Sequence, residues 1–312
     1  MPEKKIIAVT GATGAQGGGL VRAILKDKGG EYGVRALTRD INSPKAKALE
    51  EMGAEVVAAN LDDRESLKDA FHGAFGAFAV TFFWDHFSPE KENAHAKAMA
   101  GAARKAGVQH VIWSTLEDTR RWVPASDTRM PTLMGRYKVP HFDAKGESDQ
   151  YFNGLPVTNL LTTFYWDNLI GMAPKKGPDG TLVFTLPMGD KKLAGIVAED
   201  IGRCAFGVFK RGPEFIGKTI GIAGELLTGT QIAAALSAAL GREVRYNPVT
   251  PAMFRGFGFP GAADLGNMFQ FYAEFESHFA ETRDIALARS LNPSLQTLAQ
   301  WLAVNAKRIP IE

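Results

Sequence analysis

Along the first half of the chain, short apolar runs alternate with stretches whose apolar positions recur every three or four residues. "KIIAVT" leads into "GAQGGGLVRAILKD", "GVRALT" into "SPKAKALEEM", "AEVVAA" into "RESLKDAF" and "AFAVTF" into "SPEKENAHAKAMAGAARKA", and "HVIWST" closes the series. The short runs fit buried strands, the longer ones amphipathic helices. Strand–helix units repeated at this length predict a parallel sheet with right-handed crossovers and helices on both faces. Ser88, Pro89 and Glu90 supply a cap, a first-turn proline and a first-turn acid for the longest helix.

After "HVIWST" the alternation stops. Residues 116–140, "LEDTRRWVPASDTRMPTLMGRYKVP", show no clear periodicity, and irregular chain of this length usually serves a site or is mobile. A helix from "HFDAKGESDQYFNG" and a sixth strand over 156–163 then return the chain to the sheet. Beyond Asn168 the turn cluster "PKKGPDG" opens a series of shorter elements. The expected fold class is therefore α/β, a Rossmann-like doubly wound parallel sheet over 1–168. A smaller α/β substrate-side lobe is expected over 169–312, partly interleaved with the main sheet.

The stretch "VTGATGAQGGG" sets Gly11, Gly14 and Gly17 in the spacing GxxGxxG between an apolar strand and a helix, with Thr13, Ala15 and Gln16 in the same turn. The first glycine permits the tight turn, the second admits a pyrophosphate to the backbone, and the third lets the helix pack close to the strand. A negative group then meets the helix amino terminus, where N–H groups and the dipole favour it. The bland alternative is a glycine turn with no ligand, but the surrounding strand–helix units supply the context that dinucleotide binding requires. Gly18 and Gly19 have no role here beyond allowing close helix packing.

The adenosine end of such a cofactor is read after the second strand, in "VRALTRD". A carboxylate there accepts a ribose 2′-hydroxyl, whereas an arginine pairs with a 2′-phosphate in fork geometry. Arg39 comes first and Asp40 follows, which favours NADP(H) over NAD(H), unless the turn is simply solvated. Leu61 and Asp62 in "NLDD" are candidates for the adenine ring face and amino group, and Thr81 and Phe82 for the cofactor path after the fourth strand.

Composition narrows the function classes. The 312 residues carry 36 basic and 34 acidic side chains, a net charge of +2, which offers no field for holding nucleic acid by its phosphates. A repressor that contacts DNA directly is accordingly a poor reading, since no helix-turn-helix signal supports it either. The single cysteine, Cys204, excludes an intrachain disulfide and a cysteine-based metal site. His72, His86, His95, His110 and His278 show no spacing suited to joint metal ligation. No apolar run approaches membrane-spanning length, and the expected compartment is the cytoplasm.

Taken together, "GATGAQGG", "VRALTRD", "NLDD", "VPHFDAKGE", "GFPGAADLGNMFQFY" and "LQTLAQWL" resemble the NmrA-like family, atypical members of the short-chain dehydrogenase/reductase superfamily, nearly end to end. The resemblance implies NADP(H) binding with weak or absent dehydrogenase activity, in proteins that report nicotinamide redox state through protein partners. Related isoflavone reductase-like enzymes do reduce substrates with NADPH and keep a lysine at the place matching Lys145. Typical short-chain dehydrogenases place a tyrosine acid four residues before that lysine. Here His141 stands in its place.

A tyrosine lowered from about 10 by a neighbouring lysine can protonate a carbonyl as hydride arrives. His141 lies one helical turn from Lys145, and two adjacent cations would depress each other's pKa, which argues against a strongly acidic histidine. Lys145 is then the ribose-binding group, and the alternative for His141 is a packed or locally bonded residue of the first helical turn. Ser114, or Thr115 beside it, is a candidate substrate-polarising hydroxyl, and Tyr165 a candidate relocated acid. Phe164, Tyr165 and Asn168 are expected to border the nicotinamide.

Two functions follow. One is a cofactor-binding redox sensor or regulator acting through a protein partner; the other is an NADPH-dependent reductase of a small apolar carbonyl, imine or conjugated substrate that uses Lys145. The sequence leaves the oligomeric state open.

Overall fold

The computed structural model describes residues 3–311. Strand β1 (Lys5–Val9) leads to helix α1 (Ala15–Lys26), then β2 (Tyr32–Thr38), α2 (Pro44–Glu51), β3 (Glu55–Ala58), α3 (Arg64–Phe71), β4 (Gly76–Ala79), α4 (Pro89–Ala106) and β5 (His110–Thr115). After the irregular segment come α5 (Pro140–Ser148), β6 (Val157–Leu161), β7 (Phe164–Tyr165), β8 (Lys175–Lys176), β9 (Leu182–Leu186), β10 (Lys192–Ile196) and α6 (Ala198–Arg211). The chain ends with β11 (Thr219–Gly221), β12 (Glu225–Thr228), α7 (Gly229–Leu240), β13 (Val244–Pro248), α8 (Pro251–Arg255), α9 (Ala262–Glu274), α10 (Glu276–Thr282), α11 (Ile285–Leu291) and α12 (Leu298–Asn305).

Seven strands form one parallel sheet in the order β3-β2-β1-β4-β5-β6-β11. The α/β, Rossmann-like expectation is met. Alternation along the strands sorts the two faces: Ile7, Val9, Phe78 and Ile112 join Leu20, Ile24, Ile201 and Phe209 on the side of α1 and α6. Ala8, Ala77, Val111 and Trp113 join Leu67, Phe71 and Met99 on the side of α3 and α4. Ser88 accepts from the Lys91 N–H and Pro89 opens α4, as the cap signal predicts, and Gly107 in the left-handed region (φ 66°) ends that helix.

The second half of the chain builds two small sheets, β12-β10-β7 and β13-β9-β8, around a third apolar core. It also sends β11 to the edge of the main sheet and lays α6 along α1. Glycines allow that contact. A Cβ on Gly19 would lie 2.6 Å from the Glu199 carbonyl oxygen, and one on Gly202 2.1 Å from the Leu20 amide nitrogen.

The irregular segment 116–140 is tied down rather than loose. Buried Asp143 accepts from the Thr119 N–H and hydroxyl and from the Lys138 and Val139 N–H groups. Burial pushes its carboxyl up to about 6 against the pull of those hydrogen bonds. Lys138, fully buried, donates to the Asp127 and Met130 carbonyls, while Asn267 and Gln270 of α9 reach the carbonyls of Pro131, Lys138 and Arg129.

Gly202→Ala drives a methyl into the α1 backbone, and overpacking of this kind costs about 1–3 kcal/mol. Urea denaturation should show a lower midpoint than for the parent; an unchanged midpoint would show that α1 and α6 can part without loss.

Candidate functional site

The candidate residues cluster at the carboxyl ends of the parallel strands, where open α/β sheets place their ligands. Between β1 and α1, Gly11 turns the chain in the left-handed region (φ 60°), and the Gly14 N–H returns to the Gly11 carbonyl at 2.9 Å. A Cβ on Gly17 would sit 2.4 Å from that same carbonyl oxygen, so glycine is what lets α1 start so close to the strand. Gly14 caps α1 without a side-chain hydrogen bond, and the first turn holds no acid. Gly11, Gly14 and Ala15 are exposed and Thr13 half-buried, so the turn offers backbone donors to an anion. Thr10 stitches the neighbouring strand end by donating to the Phe78 carbonyl and accepting from the Val80 N–H.

Gln16 is buried and does something that the glycine spacing does not reveal. Its Oε1 accepts from the Ser114 hydroxyl at 2.7 Å, and its Nε2 donates to the Tyr165 hydroxyl. One side chain thus joins the ends of β5 and β7 to the glycine turn. Burial pushes the Tyr165 phenol up, opposed by the Gln16 and Thr162 hydrogen bonds. The Thr115 hydroxyl turns away, to Asp149.

Lys145 reaches the end of β4. Its Nζ donates to the Thr81 hydroxyl and carbonyl, lies 2.8 Å from the Glu92 carboxylate, and stands 5.2 Å from the centre of the Trp113 ring. Glu92, on α4, is wholly buried, accepts from the Thr81 hydroxyl, and has its second oxygen 3.4 Å from His86 Nε2. Burial pushes its carboxyl up, but the Lys145 charge, the approach of the His86 ring and the polar contacts from Lys145 and Thr81 outweigh this and hold it at about 2.

His141 lies in the first turn of α5, with its ring 4.7 Å from that of Trp84 and 6.0 Å from that of Phe83. Its partner is not local. Nδ1 is 2.6 Å from Asp264 of α9, and the same carboxylate accepts the His141 backbone N–H. In sequence only Lys145, one helical turn on, is visible as a neighbour of His141; the carboxylate that orients the ring comes from 123 residues away.

Other candidates are more peripheral. Arg39 is 73% exposed and bonds Asp85 at 2.9 Å, while Asp40 turns its carboxylate to the Asn42 N–H. Asp62 is held by His95 at 2.8 Å and Lys91 at 3.3 Å, Leu61 is half-buried against the α3–α4 core, and Phe82 is 65% exposed beside the groove. Phe164 lies in the second-lobe core against Trp166 and Phe269, and Asn168 is exposed on the turn after β7. A separate cleft of about 870 Å³, lined by Met188, Lys191, Val249, Glu274 and His278 among others, includes none of the candidate residues. Among the described residues no helix is long and apolar enough to cross a membrane.

The structure thus gathers the glycine turn, Ser114, Tyr165, Thr81, Lys145 and His141 at the ends of β1, β4, β5 and β7 and on the adjoining α5, and adds Glu92, Asp264 and Asp85, which sequence reasoning missed. Asp264 lay within a segment already singled out. Glu92 and Asp85 carried no signal, since their partners lie 53 and 46 positions away.

Because its folded-state pKa lies below the ordinary 4.5, Glu92 stabilises the fold fully above that value and loses its contribution as pH falls toward 2. Glu92→Gln strands Lys145 and should cost about 3–5 kcal/mol near pH 7, with the gap from the parent narrowing as pH falls below about 4.5. Urea melts at several pH values measure it, and a gap independent of pH contradicts the assignment.

Comparison with known proteins agrees with this architecture. Residues 3–302 match the NmrA-like family. An NmrA-like family domain-containing oxidoreductase of Penicillium ochrochloron, ptmS, is 25% identical over 96% of this chain and 97% of its own length. Another, FrzB of Cladobotryum sp, is 29% identical over 85% of this chain and 83% of its own. Solved structures of NmrA, a negative transcriptional regulator, in complex with NAD and with NADP share 26% identity and a TM-score of 0.79, covering 97% of this chain and 95% of theirs. With a glycine turn between β1 and α1 and its sequence matched nearly end to end, the chain belongs to the NmrA-like family.

Proposed function

We propose that this protein binds NADP(H), and NAD(H) less tightly, in the groove above β1, and acts chiefly as a redox-responsive regulator of a protein partner with little or no hydride transfer of its own. The observation that carries the reading is the state of α5. Where a dehydrogenase of this architecture carries its tyrosine acid, His141 is bound to Asp264, and Lys145 one turn later is bound to Glu92. The helix that faces the cofactor is therefore bonded to α9 of the second lobe, so a change in the groove has a direct route to a distant surface. Ligand binding shifts such a system only through differential affinity for its states.

Three features support a dinucleotide at the turn between β1 and α1. Exposed Gly11 and Gly14 leave the turn open where a side chain would fill it, the uncapped start of α1 suits a pyrophosphate, and Arg39 is exposed enough to take a 2′-phosphate. NmrA, which shares 26% identity, has been solved with both NAD and NADP.

A reductase is the second reading, favoured by the Ser114–Gln16–Tyr165 hydrogen bonds and by relatives named as oxidoreductases. A bound nicotinamide supplies hydride. Tyr165 then holds the proton at its hydroxyl, Gln16 fixes that hydroxyl, Ser114 polarises the substrate by turning its hydroxyl from Gln16 Oε1 to the substrate oxygen, and Lys145 holds the ribose. This reading requires NADPH oxidation with apolar carbonyl, imine or conjugated substrates that disappears in Tyr165→Phe and in Lys145→Met.

Calorimetric titration with NADPH, NADP⁺, NADH and NAD⁺ tests the primary reading. Arg39→Ala should weaken NADP(H) binding by about tenfold or more and leave NAD(H) nearly unchanged, since a charge-assisted contact is worth about 1.5–3 kcal/mol. If none of the four binds, the reading fails.

A further inference from the structure

The bond between Arg39 and Asp85 bridges the segments that follow β2 and β4. Arg39 follows β2 and Asp85 ends the 3-10 turn Phe83–Asp85 that follows β4, and β2 and β4 flank β1 in the sheet. The pair therefore passes over the end of β1, where the glycine turn begins. Both partners are exposed, 73% and 50%, and a pair so placed is worth about 0.2–1 kcal/mol. It exchanges readily. Asp40, the carboxylate in the usual position for a ribose hydroxyl, is taken up by the Asn42 N–H in its own turn.

We propose that Asp85 is the specificity-determining carboxylate of the adenosine site. It accepts the ribose 2′-hydroxyl of NAD(H), and it gives up Arg39 to the 2′-phosphate of NADP(H). Both halves of nicotinamide-cofactor discrimination, a carboxylate for the hydroxyl and a guanidinium for the phosphate, thus sit in one ion pair, with the carboxylate supplied from the opposite bank. A dianionic phosphate at Arg39 repels Asp85, so the exchange frees the turn that carries it.

That turn is connected. Trp84, next to Asp85, lies against His141, and a Cβ on Gly261, just before α9, would come within 2.8 Å of the Trp84 ring. Phe87 holds a left-handed backbone (φ 52°) that is costly for a bulky residue, so the turn stays in place only while its surroundings hold it. Release of Asp85 by a 2′-phosphate is then read at His141 and at the start of α9, a step that NAD(H) does not trigger. This inference rests on the cofactor reading above.

The test is calorimetric titration of the full chain and its Asp85→Ala and Asp85→Asn variants with NADP⁺ and NAD⁺. Both variants should bind NADP⁺ more tightly, by up to about fivefold, because Arg39 no longer has to leave a partner. Asp85→Ala should bind NAD⁺ more weakly, and Asp85→Asn, which keeps an acceptor oxygen, less so. In an Arg39→Ala background, loss of Asp85 should no longer tighten NADP⁺ through Arg39. If the parent binds both cofactors and the NADP⁺/NAD⁺ preference does not move, or moves the other way, this inference is overturned while the cofactor reading stands. If the parent binds neither, both fall.

Discussion

Helix α1 has to touch two backbones at once, and glycine is what makes that possible. On one side Gly17 rests on the Gly11 carbonyl, which brings the start of the helix over the end of β1; on the other, Gly19 and Gly202 let α6 lie directly against it. The first contact shapes the turn that offers N–H groups to an anion. The second anchors the return of the chain from the second lobe. Groove and second lobe therefore share one rigid element, and a bulkier residue at either contact disturbs both.

Charge compensation sets the rest of the site. Lys145 is 8% exposed and Glu92 fully buried, and either alone would carry a desolvation penalty of several kcal/mol. The same holds for Arg283 with Glu117 near the ends of β5 and β6, while His141 is hydrogen-bonded to Asp264. Buried pairs return in attraction roughly what they lose in hydration, so their main contribution here is position. They bond α5 to α4 and to α9, and α9 in turn holds segment 116–140 through Asn267 and Gln270. Lys145 is thereby a structural joint between α5 and α4.

Local signals were legible in the sequence. Strand–helix alternation, the Ser88–Pro89 cap and the glycine turn depend on neighbours a few residues apart, and each fell where the pattern placed it. β11 pairs with β6 at the edge of the main sheet. Segment 116–140 looked structureless because its order comes from elsewhere: Asp143 binds four donors, and Asn267 reaches Lys138 across 129 positions. His141 was weighed against Lys145 because a helical turn is visible in sequence, while Asp264 is not. Phe164 reads as a pocket wall from its place after β6, yet its ring turns into the second-lobe core. In each case a long-range polar or packing contact decided the outcome, and periodicity carries no information about such partners.

Hydrogen–deuterium exchange with and without NADPH tests most directly whether the groove speaks to the second lobe. The account predicts slowed or altered exchange at 11–17 and 81–88 and, with them, at 261–267 at the start of α9. Protection confined to the glycine turn and adenosine loops, with α9 unchanged, would contradict it and leave a cofactor-binding fold without a relay.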